Sequence, residues 1–214
     1  MKKYLNNSRN VRVVAISGSL RNGSYTSASL RVALKGAEME GAEIEMIDLR
    51  QYNLVFFGQV EETNYPPDVL QLREKVRDAQ GILLGTPEYH AGLSGVLKNA
   101  LDLMSFDEFE GKMLGLIGVS GGNMGAINAL NSLRTIGRNL HAWVLPQQVS
   151  VPEAYKYFTE DGKISNRNYE KRLLEVGQLV TRFAKLLELQ KDQEFVKLWE
   201  GLPFFENPVV ANQP

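Results

Sequence analysis

Residues 11–26 read VRVVAIS and then GSLRNGSYT. Val11 to Ser17 is a short, β-branched, almost uninterrupted apolar run, the composition of a strand buried on both faces. Gly18 to Thr26 supplies glycines for a tight turn and hydroxyls at the start of a helix. That helix carries apolar residues at three- and four-residue spacing from Thr26 to Glu40. A buried strand, a Gly/Ser turn and an amphipathic helix form the opening of a βαβ unit, and the pattern repeats outward along the chain. Gly81 to Thr86 and Met113 to Ser120 are further apolar runs, while Glu43 to Leu49 and Ala142 to Val151 read as the second and fifth strands. Helical periodicity recurs over Asp68 to Ala79, Gly95 to Leu103, Ala126 to Arg138 and Tyr169 to Leu189. Alternating strands and helices with right-handed crossovers predict an α/β fold, a doubly wound five-stranded parallel sheet in the order 2-1-3-4-5 with helices on both faces.

At 214 residues the chain suits one such domain, expected over residues 1–189. Two stretches fit the scheme less well. Gln51 to Pro67 is long for a connection and holds Phe56, Phe57, Tyr65 and two prolines, so it either walls a pocket or packs on an edge. Residues 190–214 contain Phe195, Leu198, Trp199, Leu202, Phe204 and Phe205. So apolar a tail is expected to pack on its own or a neighbouring subunit.

Composition narrows the function. Lys plus Arg number 24 and Asp plus Glu 25, which leaves no basic field to gather nucleic acid or anionic lipid. There is no cysteine, so disulfides, thiolate catalysis and cysteine-ligated metals are excluded. The first residues, Met1 to Asn7, turn polar where a signal peptide needs an apolar run, and no segment reaches membrane-spanning length. A cytoplasmic enzyme acting on small molecules is expected.

In a doubly wound sheet the ligand lies beyond the carboxyl ends of the strands, where strand order reverses, here between the first and third strands. Three loops meet there. Gly18 to Thr26 can offer amides, hydroxyls and Arg21 to a phosphate at a helix N-terminus. It is not a P-loop, because Ser24 stands where that motif requires lysine, and it lacks G-x-G-x-x-G. Asp48 can mimic the ribose-binding acid of a dinucleotide fold, but without the glycine fingerprint. Taken alone the loop reads equally as a helix-capping Gly-Ser turn. After the third strand, Thr86 to Gly95 is expected as a proline- and glycine-bearing loop, and after the fourth come Ser120 to Gly125. Between them a flat heteroaromatic ring can be held by main-chain amides and covered by Tyr89.

At these loops the sequence resembles the NADPH-dependent FMN reductase family, on Gly18 to Arg21 (GSLR), Pro87 to Tyr89 (PEY) and Leu97 to Asp102 (LKNALD). The wording PEYHAGLSGVLKNALD and SGGNMGAINALNSLR is similar to its azobenzene-reductase and quinone-reductase branch. The resemblance runs from about Arg12 to Leu189. It implies a flavodoxin-like fold, FMN as cofactor, NADPH or NADH as reductant, and homodimers or homotetramers. It also implies a quinone, azo, chromate or flavin acceptor served in a ping-pong cycle. Carried over by position, Ser19, Arg21, Ser24, Tyr25 and Thr26 hold the FMN phosphate. Pro87, Glu88, Tyr89, His90 and Gly92 line one edge of the ring, and Ser120, Gly121 and Gly122 another. Family members often have asparagine at the positions of Thr26 and His90. No catalytic side chain or metal is nominated, since hydride transfer to a flavin needs no protein acid or base.

The amides of Ser120 to Gly122 are expected to stabilise charge near N1 and the C2 carbonyl. His90 reads as a loop histidine with proton delivery as the alternative. His141 and Trp143 read as structural, Glu88 as turned outward, Lys98 and Asp102 as an ion pair, and Met104, Met113 and Met124 as packing. Two other classes share the loops: a flavodoxin-type electron carrier, which is usually far more acidic than this near-neutral chain, and a flavin-binding regulatory protein without turnover.

Overall fold

The computed structural model describes residues 11–159 and 161–190. Five parallel strands form the sheet, and the chain order around them follows from the alternating pattern of the sequence. They are β1 (Arg12–Ser17), β2 (Glu43–Asp48), β3 (Gly81–Tyr89), β5 (Met113–Val119) and β6 (Trp143–Val151). They lie in the order β2-β1-β3-β5-β6, with the two-residue strand β4 (Gly92–Leu93) folding back antiparallel on β3. Set that short return strand aside and the expected 2-1-3-4-5 order holds. β6 tolerates Pro146 because it is an edge strand, where a missing N–H interrupts no second ladder.

Alternate residues of each strand enter two separate cores. Val13, Ala15 and Leu83 pack on one face with α1 (Tyr25–Met39) and α6 (Arg167–Gln190). Val14, Ile16, Ile82 and Leu84 pack on the other with α2 (Pro67–Arg77), α3 (Gly95–Asp102) and α5 (Ile127–Asn139). Ile16, Leu84, Leu97 and Leu116 are wholly enclosed, and each such side chain contributes about 1.5–3 kcal/mol of burial. Helices α1 and α6 touch backbone to backbone at Gly36 and Gly177. A Cβ on Gly177 would stand 1.8 Å from the Ala33 carbonyl oxygen, so only glycine permits that approach.

A further short helix, α4 (Phe106–Phe109), packs on α2. Its Glu108 is fully buried and accepts hydrogen bonds from Arg73 (3.1 Å), Arg77 (2.6 Å) and the Ser105 amide (2.8 Å). The long connection 51–67 packs on α2 and the end of α3 and supplies none of the described lining residues of the cleft beyond the strand ends. Tyr65 is buried, Phe56 and Phe57 are exposed, and Asn99 of α3 holds the segment by donating to the Val55 carbonyl at 2.9 Å. Lys98 and Asp102 pair as expected, at 2.6 Å. Met104 and Met113 pack in the core, whereas Met124 is 78% exposed on the loop after β5 and belongs to no core cluster among the described residues, contrary to expectation. Trp143 is half-exposed at the start of the edge strand. The tail beyond residue 190, expected to dock on its own or another subunit, lies outside the described residues.

Candidate functional site

The carboxyl ends of β1, β3 and β5 point to one edge, and there a cleft of about 400 Å³ opens. That is within the roughly 300–1,000 Å³ usual for small-molecule sites. Just before the first lining residue, Ser19, the amide of Gly18 donates to the Gly85 carbonyl at 2.8 Å. The carbonyl of Gly18 accepts from the buried Ser94 hydroxyl at 2.6 Å. Ser94 also caps α3, accepting from the Leu97 amide at 3.2 Å, and its own amide donates to the Thr86 hydroxyl at 3.0 Å. One buried serine thus binds the first loop, the end of β3 and the start of α3 together.

Ser24 is the N-cap of α1. Its hydroxyl accepts from the Ser27 amide at 3.2 Å, and the hydroxyl hydrogen stays available to an anion. The amides of Tyr25 and Thr26 lie in the first turn, where no intrahelical acceptor exists, so they too are oriented for an anion at the positive end of the helix. Tyr25 is steadied by stacking on Phe158, with ring centroids 5.3 Å apart. Arg21 lies over the Tyr89 ring at 5.8 Å, joining the first loop to the next one.

That second loop differs from expectation. Pro87 to Tyr89 are the last residues of β3, not a loop, and with β4 they form a two-residue hairpin. The hairpin twist demands left-handed backbone at both turn residues, and His90 (φ +50°) and Ala91 (φ +61°) adopt it without being glycine. His90 sits exposed at the tip. Glu88 is also misjudged by the sequence: it is not turned outward. Its carboxylate accepts from the Ala129 amide at 2.9 Å, so it caps α5, whose own N-cap position is held by Ala126 and offers no side-chain bond. The alternation of the strand, which a loop would not have, sets that direction.

In the third loop the Ser120 amide donates to the Val151 carbonyl at 2.9 Å, and the Gly122 amide to the Ser120 hydroxyl at 3.1 Å. Two of the three amides expected to face a ligand are therefore engaged within the protein. Gly121 is the one whose amide makes no such bond among the described residues.

Of the residues singled out from the sequence, Ser19, Arg21, Ser24, Tyr25, Thr26, Pro87, Glu88, Tyr89, Ser120 and Gly121 line the cleft. His90, Gly92 and Gly122 belong to the same loops but not to the lining. Asn22, Gly23, Val119, Ala154 and Tyr155 also line it and were not singled out. Asn22 and Gly23 sat inside the quoted first loop. Ala154 and Tyr155 follow β6, at the same sheet edge, so the rule that ligands gather beyond strand ends applied to them as well. Asp48 does not reach the cleft. Hydrogen bonds from Arg50 hold its carboxyl below the ordinary carboxylate range, and Arg50 in turn donates to the Asn22 amide oxygen at 2.9 Å. His141 also lies elsewhere: its Nδ1 is 2.9 Å from Glu110 Oε1 and its ring packs on Phe106.

The donor set suits an anionic group at one end and a flat ring at the other. Within the described lining Arg21 is the one cation, the one carboxylate is turned onto α5, and hydroxyls and helix-start amides converge at one end. No group of three or more His, Cys, Asp or Glu residues able to hold a metal occurs among the described residues, and no described helix is long and apolar enough to cross a membrane.

The model of the NADPH-dependent FMN reductase family matches residues 11–156. An NAD(P)H-dependent FMN reductase of Pseudomonas aeruginosa is 36% identical over 162 residues, covering 73% of this chain and 86% of the relative. An FMN-dependent NADPH-azoreductase of Staphylococcus aureus is 33% identical over 176 residues, covering 78% and 92%. Among solved structures, FerB, a flavoenzyme NAD(P)H:(acceptor) oxidoreductase from Paracoccus denitrificans, superposes with a TM-score of 0.62 at 27% identity, over 84% of this chain and 98% of its own.

Proposed function

The chain belongs to the NADPH-dependent FMN reductase family, and on that premise we propose that the cleft beyond β1, β3 and β5 is its FMN site, serving a small-molecule acceptor. The protein is an FMN- and NAD(P)H-dependent oxidoreductase with a flavodoxin-like fold, an enzyme and not a carrier or sensor. When bound, FMN supplies the two-electron chemistry between NAD(P)H and the acceptor.

The protein's own residues bind and orient. The hydroxyls of Ser19 and Ser24, the Tyr25 and Thr26 amides and the Arg21 guanidinium hold the phosphate, with the α1 dipole adding to its affinity. Pro87 and Tyr89 would hold one edge of the ring and Ser120 and Gly121 the other, with the Gly121 amide as the donor that this loop would offer it. Glu88 acts at one remove, fixing the β3 hairpin against α5. The acceptor is a quinone, an azo compound, chromate or free flavin, and the enzyme works in the cytoplasm as a homodimer or homotetramer.

The observation that carries this reading is the convergence at one cleft of a helix N-terminus rich in hydroxyls and an aromatic hairpin. It is tested by adding NADPH, without oxygen, to the FMN-loaded protein and following the visible flavin band. Bleaching is expected, along with loss of FMN but not riboflavin affinity in Arg21→Ala. A band that NADPH leaves unchanged while dithionite removes it would overturn the reading.

A further inference from the structure

The cleft has a fourth wall, built from the turn after β6. The amides of Glu153 and Ala154 donate to the carbonyls of Gly122 and Ser120, at 3.1 and 3.0 Å, so this turn is fastened to the loop after β5. The fastening holds Glu153 in left-handed backbone at φ +41°, a conformation that non-glycine residues enter only when their surroundings impose it. Ala154 is then buried beneath the turn, while Tyr155 stays 56% exposed on the cleft lining. β5 lies between β3 and β6, and Tyr89, Ser120, Gly121 and Tyr155, which follow or end these strands, all line the one cleft. The Tyr155 hydroxyl donates to Glu153 Oε1 at 3.4 Å, and Lys156 stands 5.8 Å from the ring centroid while donating to the same carboxylate at 2.6 Å.

A half-exposed aromatic ring, kept in place on a strained turn at a ligand-sized cleft, is a contact surface for a flat ligand. Resting on the reading of the cleft as the FMN site, we infer that Tyr155 is a flavin-contacting residue. Its ring packs on the bound FMN, and its hydroxyl is directed to Glu153, outside the contact.

The test is a titration of FMN into the apoprotein, followed by quenching of flavin fluorescence and by the visible circular dichroism the site induces. Tyr155→Ala is expected to weaken FMN binding about tenfold, the effect of losing about 1.4 kcal/mol of aromatic contact, and to lower the induced dichroism. Tyr155→Phe should stay within about twofold of the parent, since the ring is retained. Equal melting temperatures would show that neither variant disturbs the fold. If Tyr155→Ala binds FMN like the parent while Arg21→Ala does not, the Tyr155 assignment fails and the cleft reading stands. Should Arg21→Ala and Tyr155→Ala both bind normally, the cleft reading itself fails. Equal losses in Tyr155→Phe and Tyr155→Ala would mean that the hydroxyl makes the contact, which overturns the ring-packing assignment.

Discussion

Replacing Ser94 by alanine isolates the joint on which the cleft is built. The hydroxyl does two things at once: it accepts from the Leu97 amide as the α3 cap, and it donates to the Gly18 carbonyl at 2.6 Å. Loss of an N-cap costs about 1 kcal/mol. A buried carbonyl left without its donor costs about 1–3 kcal/mol more, and Ser94 is 1% exposed, so water cannot substitute. The sum is about 2–4 kcal/mol, or a fall in melting temperature of about 5–15 °C for a chain of this size. Ser19 directly follows the released carbonyl, so FMN affinity should fall as well. Urea unfolding of the apoprotein and FMN titration measure the two effects separately. Ser132→Ala is the control: its hydroxyl donates to the Asn128 carbonyl one turn back on its own exposed helix face, and its effect should stay within about 0.5 kcal/mol. A Ser94→Ala protein as stable as that control, with unchanged FMN affinity, would refute the joint.

Glu108→Ala should destabilise by about 2–4 kcal/mol in urea unfolding, because it opens a void and removes the buried acceptor of Arg73 Nε and Arg77, leaving Arg73 its exposed partner Glu62; a loss below about 1 kcal/mol would show the cluster to be dispensable. Ala91→Gly should stabilise by about 0.5 kcal/mol, the relief of left-handed strain exceeding the added chain entropy, and any loss of stability would contradict the turn geometry. Acid should weaken the fold in a defined window. Desolvation raises the Glu45 carboxyl, but hydrogen bonds from Lys75 and Arg12 outweigh it and hold it below the ordinary 4.5, and Arg50 holds Asp48 below 3.8. The unfolded chain thus takes up protons first, so this stabilisation is complete above about pH 4.5 and is lost as pH falls through the lowered values. The urea midpoint should drop from pH 5 to 3, less steeply in Glu45→Gln; an unchanged slope would remove Glu45 from the explanation.

Much of this protein was legible in its sequence. Val11 to Ser17 reads as a strand buried on both faces because its β-branched run is almost uninterrupted, Gly81 to Thr86 and Met113 to Ser120 repeat that character, and the alternation of strands with helices gives the order. The rule placing ligands beyond strand ends then brings the loops that carry Ser19, Arg21, Ser24, Tyr89 and Ser120 to one edge from sequence alone. What the sequence left open depends on contacts between residues far apart in the chain. Glu88 turned onto α5 because strand alternation extended three residues past the expected end of β3, and its partner, the Ala129 amide, lies 41 positions away. Ser94 became a joint only where Gly18, 76 positions distant, met it. Tyr155 entered the cleft because Ser120 and Gly122 gave the turn after β6 its hydrogen-bond partners. Periodicity and local turn chemistry are written into neighbouring residues. The direction of a side chain at a loop, and which amides remain free for a ligand, are decided only when distant backbone groups compete for the same hydrogen bonds.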